Sequence, residues 1–347
     1  MHSFLKHLDI SGTGHAGKGA ITDLLREFSG FSVPNHLYEF NLLRIPGGLL
    51  DVRQAIHDEW SLIRSNAAYD RFDKLIARLG HSPSELNFRA LWNSTGANYN
   101  SYFDSQFMDI SRQYLKSLPI GSAKSSWPYE FQSPAILNAK RALRRLGLNI
   151  ADEKKIYLLP PDGFLDKTRK YLDRLFRAAG NKDAIYSVSH NAFDFSSIAR
   201  CIDLFGDARS ILVFRDPRDI YASSLLAAGY QPSYEKKKGI WKQKQSFLMA
   251  GDLDLFIARQ SLINDAVKDV SNSRVLFLWY EDLILNYEDS IKAIADFLEI
   301  DLQKVHTKKQ AYFDPEKSIA NIGLWKSFPE QPIHEIKARL PTMLYPE

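Results

Sequence analysis

The stretch Ser210-Ile-Leu-Val-Phe-Arg-Asp-Pro-Arg-Asp-Ile-Tyr-Ala-Ser223 joins a run of apolar residues to a charged helix start. Ile211 to Phe214 are β-branched, aliphatic and aromatic without alternation, the pattern of a short strand buried on both faces of a parallel sheet. Pro217 has the fixed φ and missing N–H that suit the first position of a helix, and Asp216 before it is a capping residue. Arg215 therefore falls at the carboxyl end of the strand beside a helix N-terminus, where free N–H groups and partial positive charge attract anions. Arg218 adds a second guanidinium, and Ser223 lies about two turns along the helix, in reach of the same group. A salt-bridged helix cap without a ligand fits this segment equally well, so the rest of the chain decides.

The N-terminus repeats the arrangement. Phe4 to Ser11 mixes apolar and polar residues like a strand and ends in Gly12-Thr-Gly-His-Ala-Gly-Lys-Gly-Ala20, before the helical spacing Ile21, Leu24, Leu25, Phe28. Glycines this close let successive N–H groups face one centre, and the helix dipole completes a cradle for phosphate. Gly12, Gly17 and Lys18 satisfy most of a Walker pattern, but Gly19 stands where a magnesium-holding Ser or Thr is required, which removes support for metal-dependent phosphoryl transfer.

Together the two segments resemble sulfotransferases. Arg215 followed eight positions later by Ser223 resembles that family's 3'-phosphate-binding motif. The Gly12–Ala20 loop resembles its 5'-phosphosulfate loop, with His15 where Lys or Arg commonly stands and Lys18 where Thr commonly stands. The resemblance implies that His15, Ala16, Gly17, Lys18, Gly19, Ala20, Arg215 and Ser223 hold 3'-phosphoadenosine 5'-phosphosulfate, the sulfuryl donor. It also implies a catalytic cation in the loop; Lys18, charged at neutral pH, is the first candidate and His15 the second.

Between these segments Ala184-Ile-Tyr-Ser-Val-Ser-His-Asn191 reads as a strand ending at a histidine, followed by a helix over Phe195 to Phe205. A right-handed crossover brings His190 and Arg215 to one carboxyl edge of the sheet, where α/β proteins bind ligands. Cytosolic sulfotransferases carry a Ser-His or Thr-His there as base, which Ser189-His190 resembles. Some carbohydrate sulfotransferases use a glutamate soon after the first helix as base, and Glu39 is similarly placed. Arg274 to Trp279 supplies a further strand, and Tyr280 after it matches a tyrosine that contacts the nucleotide. Ser318-Ile-Ala-Asn-Ile-Gly-Leu-Trp-Lys326 resembles the closing nucleotide loop of carbohydrate sulfotransferases, which adds Ser318, Asn321, Gly323, Trp325 and Lys326 to the donor set. The arginine and lysine that open this loop in the cytosolic branch are absent, which places the chain nearer the carbohydrate or bacterial branch and favours Glu39, whereas the strand-end position favours His190.

The 347 residues are 45% hydrophobic and 25% charged, which fits one large α/β domain or a core with a sizeable insertion. From about residue 45 to 180 the spacing turns helical, as in Ile56, Trp60, Ile63 and Leu75, Ile76, Leu79, and predicts a helical insertion. Asn98-Tyr-Asn-Ser-Tyr-Phe103 within it reads as packed loop, with sugar stacking as the minority reading. A net charge of +4 suits anionic ligands and is too weak to argue for nucleic acid. The Lys236–Lys238 triplet reads as a solvated face. Cys201, the single cysteine, excludes an internal disulfide and sits in an apolar helical pattern, so it reads as a core thiol. There is no basic, apolar leader and no run of about 18 apolar residues, which predicts a soluble, cytoplasmic protein without a transmembrane segment.

The expected fold is thus a P-loop-like parallel α/β sheet flanked by helices, one domain over 1–347 with the helical insertion inside it. The expected reaction is metal-independent transfer of a sulfuryl group to a hydroxyl, on a glycan or glycolipid. A small-molecule kinase using the near-Walker loop and a non-catalytic nucleotide or polyanion-binding module are the alternatives.

Overall fold

The computed structural model describes residues 4–33, 39–81, 97–127, 129, 134–147, 153–180, 183–229, 248–268, 270 and 272–346. The longer elements are β1 (Lys6–Gly12), α1 (Lys18–Arg26), β2 (Phe31–Ser32), α2 (Leu49–Arg53), α3 (Leu62–Gly80), α4 (Phe107–Ser117), β3 (Gly121–Ser126), α5 (Pro134–Arg145), β4 (Glu153–Leu158) and α6 (Phe164–Ala179). They continue with β5 (Tyr186–His190), α7 (Ile198–Asp203), β6 (Asp207–Phe214), α8 (Pro217–Ala227), α9 (Leu253–Val267), β7 (Val275–Trp279), α10 (Tyr280–Leu285), α11 (Tyr287–Leu298) and α12 (Glu330–Arg339). The chain divides into two compact units, one from residues 1–44 and 180–347, the other from 45–179.

The first unit is built on a parallel sheet in the order β2-β5-β1-β6-β7. The order reverses at β1, whose neighbours β5 and β6 both follow it in the chain, so the loops leaving β1 and β6 diverge and open a crevice at the carboxyl edge. Ile10 pairs with His190 and Gly12 with Val213, which puts the loop after β1, the end of β5 and the Arg215 turn on that one edge, as the sequence predicts.

Because strand side chains alternate, β1 carries two different faces. Leu8 and Ile10 join Ile21, Leu24, Val188, Ile211, Ile291 and Ile294 in an apolar core between the sheet, α1 and α11. His7, Asp9 and Ser11 are equally buried on the other face and must find partners there. His7 bridges Ser187 (2.8 Å) and Ser189 (2.9 Å) and stacks on Phe205 at 4.2 Å, and burial pushes its ring down to about 3, leaving it neutral. The Asp9 carboxylate accepts from Ser11, Ser189 (2.6 Å), and the Ala192 (2.9 Å) and Phe193 (3.3 Å) N–H groups. Asp9 therefore fixes the loop that follows His190. Cys201 is fully buried on α7, as a core thiol should be.

The unit of residues 45–179 is mostly helical, but it is not helical throughout: β3 and β4 form an antiparallel pair with Gly121 opposite Leu158 and Ser126 opposite Glu153. Gly-Ser-Ala-Lys-Ser-Ser carries none of the apolar alternation that announces a strand, so the ladder itself, with Tyr157 and Ile156 on its other arm, is what defines it. Tyr99 and Phe103 are fully buried and pack edge-on and stacked against Phe107 at 5.2 and 5.7 Å, so this segment is core and not a sugar platform. Lys236–Lys238 lie outside the described residues. Among the described residues no helix is long and apolar enough to cross a membrane.

Candidate active site

The loop after β1 is shaped by backbone positions before any side chain acts. His15 (φ 63) and Gly17 (φ 90) both adopt the left-handed conformation, which turns the chain back toward α1. A Cβ on Gly17 would lie 2.1 Å from the Tyr280 ring, so only glycine fits where the loop meets α10. The Ala16 N–H is used on Thr13 O (3.2 Å) and that of Ala20 on Gly17 O (3.0 Å). The N–H groups of Lys18 and Gly19 then remain at the start of α1 with no acceptor inside the helix, which is the anion-binding condition.

Arg215 links this loop to two distant segments. Its guanidinium donates to His15 O (2.8 Å) and Asn321 O (2.5 Å), and lies over the Tyr280 ring at 4.8 Å. It is 7% exposed, and its buried Nε has no partner among the described residues. His15 Nδ1 meets Ser223 Oγ at 3.0 Å. Burial, with Arg215 and Lys18 nearby, pulls the His15 ring below its ordinary pKa. A cavity of about 540 Å³ opens beside these groups, and of the sequence-predicted residues His15, Gly17, Gly19, Ala20, Arg215, Tyr280, Ser318 and Asn321 line it.

Gly323, Trp325 and Lys326 do not line this cavity. They border a neighbouring one of about 380 Å³ with Arg218 and Glu281. Arg218 also departs from expectation: it is 3% exposed and is not offered to an anion. Its fork closes on Asp216 (3.0 and 2.8 Å) and its plane lies over Trp325 at 4.3 Å, because Asp216, having capped α8 through the Arg218 N–H, is the closest carboxylate. Asp219 accepts from Gly323 N (2.8 Å) and Trp325 N (3.3 Å), so α8 holds the closing loop by its backbone.

Glu27 is a further organising residue that the sequence does not announce. At the end of α1 and fully buried, it accepts from the His306 ring (2.8 Å) and from the N–H groups of Gln310 (3.0 Å), Tyr312 (2.9 Å) and Phe313 (2.8 Å). Those residues of the 310–313 loop form the wall of the larger cavity opposite the glycine loop. Burial pushes the carboxyl up, and the four hydrogen bonds outweigh it and hold it below its ordinary value of 4.5. A carboxylate depressed in the folded state contributes stability above the unfolded pKa and loses it as pH falls through the folded one. Glu27→Gln should therefore lower the melting temperature at pH 7, and the gap to the parent protein should narrow as the pH is taken below about 4.5; a gap that is constant with pH would show that charge on Glu27 does not matter.

On the other side of Lys18 the two candidate bases sit together. Glu39 forms a parallel bridge with His190, and Phe40 N donates to His190 O at 3.3 Å. The Glu39 carboxylate accepts from Arg44 (2.7 Å) and from the Asn191 amide (3.0 Å). His190 is 5% exposed, and neither ring nitrogen has a hydrogen-bond partner among the described residues. Burial, then the charge of Lys18, lowers His190 to about 4, with Glu39 opposing. Lys18 is itself buried, with Nζ donating to Gly12 O and Thr13 O, both at 2.8 Å. Its stem lies against Gly12, where a Cβ would meet Lys18 Cγ at 3.1 Å and Val213 O at 2.8 Å. Burial lowers the ammonium to about 8; Arg44 and Arg259 add to this and Glu39 and Asp9 oppose it.

A parallel α/β sheet with a glycine loop, a buried arginine and a cleft at the carboxyl edge defines a protein of the P-loop-like class. Residues 182–322 match the family model of the sulfotransferase domain. The stretch holds β5, β6, β7 and the Arg215–Ser223 turn, so it is this part of the chain that is similar to sulfotransferases. No curated protein matches the chain significantly. Among solved structures it is similar to the sulfotransferase STF1 of Mycobacterium tuberculosis H37Rv, with 14% identity and a TM-score of 0.40 over 98% of this chain and 77% of that one. It is also similar to STF9 of Mycobacterium avium, at 12% and 0.34 over 100% and 78%. The sulfotransferase domain of the Synechococcus PCC 7002 olefin synthase gives 13% and 0.36 over 96% and 93%.

Proposed function

We propose that the protein moves a sulfuryl group from 3'-phosphoadenosine 5'-phosphosulfate to a hydroxyl of a carbohydrate or glycolipid acceptor in the cytoplasm. The observation that carries this reading is Arg215: a buried guanidinium, tied to His15 and Asn321 across one cavity, with an orphaned Nε that an anionic oxygen would satisfy. The donor brings an activated sulfuryl group; what this chain supplies is placement and charge. Arg215 and Ser223 hold the 3'-phosphate, the N–H groups of Lys18 and Gly19 face the 5' end, and Tyr280, Ser318 and Asn321 border the nucleotide. Gly323, Trp325 and Lys326 support the closing loop from its far side. In the transfer, the acceptor oxygen bonds to sulfur as the sulfur–oxygen bond to the 5'-phosphate breaks, and the hydroxyl proton passes to His190 or Glu39. Lys18 stabilises charge developing on the sulfuryl and leaving oxygens. The direct test is labelled-sulfuryl transfer to a panel of glycans and glycolipids; turnover of ATP with magnesium and no sulfuryl transfer would replace this reading with a kinase.

The donor assignment has its own measurement. Arg215→Ala and Ser223→Ala should weaken 3',5'-adenosine diphosphate far more than adenosine 5'-phosphate, since each removes a contact to the 3' group worth roughly 1.5 to 3 kcal/mol for a charged hydrogen bond. Calorimetry that finds equal losses for both nucleotides would remove the 3'-phosphate from Arg215.

A further inference from the structure

The 45–179 unit holds a cleft of its own, about 500 Å³ in volume, between α3, α4 and the β3–β4 pair. Its size lies within the range of small-ligand sites. Arg112, Lys116 and Lys155 line it and are exposed, against a single lining acid among the described residues, Asp73. Arg112 and Lys116 make no ion pair or hydrogen bond among the described residues, whereas nearby Asp70 is already engaged by Lys154 at 2.5 Å. Surface cations normally sit within reach of acids, so unmatched ones gathered on a concave wall form a site of positive potential.

The wall behind them is rigid. Buried Asn66 donates to Tyr157 O and accepts from Tyr157 N, both at 2.9 Å, replacing the strand neighbour that β4 lacks. Trp60 holds Leu159 O at 2.7 Å, and the Tyr69 and Tyr157 rings pack at 4.7 Å. Lys155 Nζ lies 5.1 Å over the Tyr157 ring, which fixes that cation at the cleft. The hydroxyls of Ser122 and Tyr157 have no protein partner among the described residues.

We propose that this cleft binds an anionic saccharide, its sulfate, phosphate or carboxylate received by Arg112, Lys116 and Lys155 and its hydroxyls by Ser122 and Tyr157. Choosing a saccharide over a bare anion rests on the carbohydrate reading of the acceptor; the anion site does not. The test is titration calorimetry of the full chain with a heparin-derived tetrasaccharide while saturating 3',5'-adenosine diphosphate occupies the nucleotide cavity. The tetrasaccharide should still bind, uncharged maltotetraose and inorganic sulfate should each bind far more weakly, and Arg112→Ala and Lys155→Ala should each cost about tenfold, as loss of one charged contact implies. Both side chains are exposed, so an unchanged melting temperature and unchanged nucleotide affinity should accompany the loss. Displacement of the tetrasaccharide by the nucleotide, or indifference to both substitutions together, would overturn the site. Equal binding of an oligouridylate with the same substitution losses would reassign it to nucleic acid, and sulfate binding as tight as the tetrasaccharide would reduce it to an anion site. If 3',5'-adenosine diphosphate itself fails to bind, the donor reading falls, and the same titration without nucleotide still decides the cleft.

Discussion

Lys18→Ala should lower kcat by about 100-fold or more while changing 3',5'-adenosine diphosphate affinity much less, the scale set by loss of one preorganised donor to developing charge. The Lys18 ammonium is charged at neutral pH, whereas the His15 ring is drawn toward neutrality and already engaged with Ser223. Lys18 also holds Gly12 O and Thr13 O, so its loss frees two loop carbonyls, and nucleotide affinity is the control that separates a collapsed loop from lost charge. With its pKa lowered to about 8, Lys18 is charged below that value and loses its proton above it, so kcat/KM should fall as pH rises through about 8. Arginine cannot lose its proton in this range, so any activity left in Lys18→Arg should lack that limb. If turnover survives Lys18→Ala and collapses in His15→Ala, the two loop residues exchange roles.

The parts of this site that are legible in the sequence are those in which neighbouring residues carry both the signal and the structure. The apolar run Ile211–Phe214 requires a buried parallel strand, Asp216 and Pro217 require a helix start, and the glycines after β1 require a turn of N–H groups. Contacts between remote segments are not legible in this way. Glu27 is one acidic residue at the end of an amphipathic helix until His306 and the 310–313 loop fold onto it, 279 or more positions later. Arg218 misleads for the opposite reason: the same local density of charge that points to an anion site is satisfied within the motif, by Asp216 two residues away. The strand-end placement of His190 follows from the order of the elements, yet its ionisation depends on how completely the surrounding fold excludes water.

That exclusion changes the pH test of the base. A free histidine titrates near 6.5 and a free glutamate near 4.3, so the acid limb of kcat/KM separates the two residues in isolation. With His190 lowered to about 4, a histidine base also becomes active as pH rises through about 4, and the limb falls where ordinary carboxylates titrate. Together with Lys18 the expected profile is a plateau between about 4 and about 8. Substitution must therefore carry the decision. The Glu39 carboxylate is already held by Arg44 and Asn191, whereas neither His190 ring nitrogen has a hydrogen-bond partner among the described residues. A base must turn a lone pair toward the acceptor hydroxyl, which is easiest where no other donor already fixes the group, and its contribution is typically about 10²- to 10⁴-fold. His190→Ala should then abolish transfer at pH 7 with nucleotide affinity nearly intact, and Glu39→Gln should retain measurable transfer because the amide oxygen still accepts from Arg44. The reverse pattern assigns the proton to Glu39, with His190 as a buried strand-end residue. Full activity in both variants moves the base to another residue and removes this corner of the cleft from the chemistry.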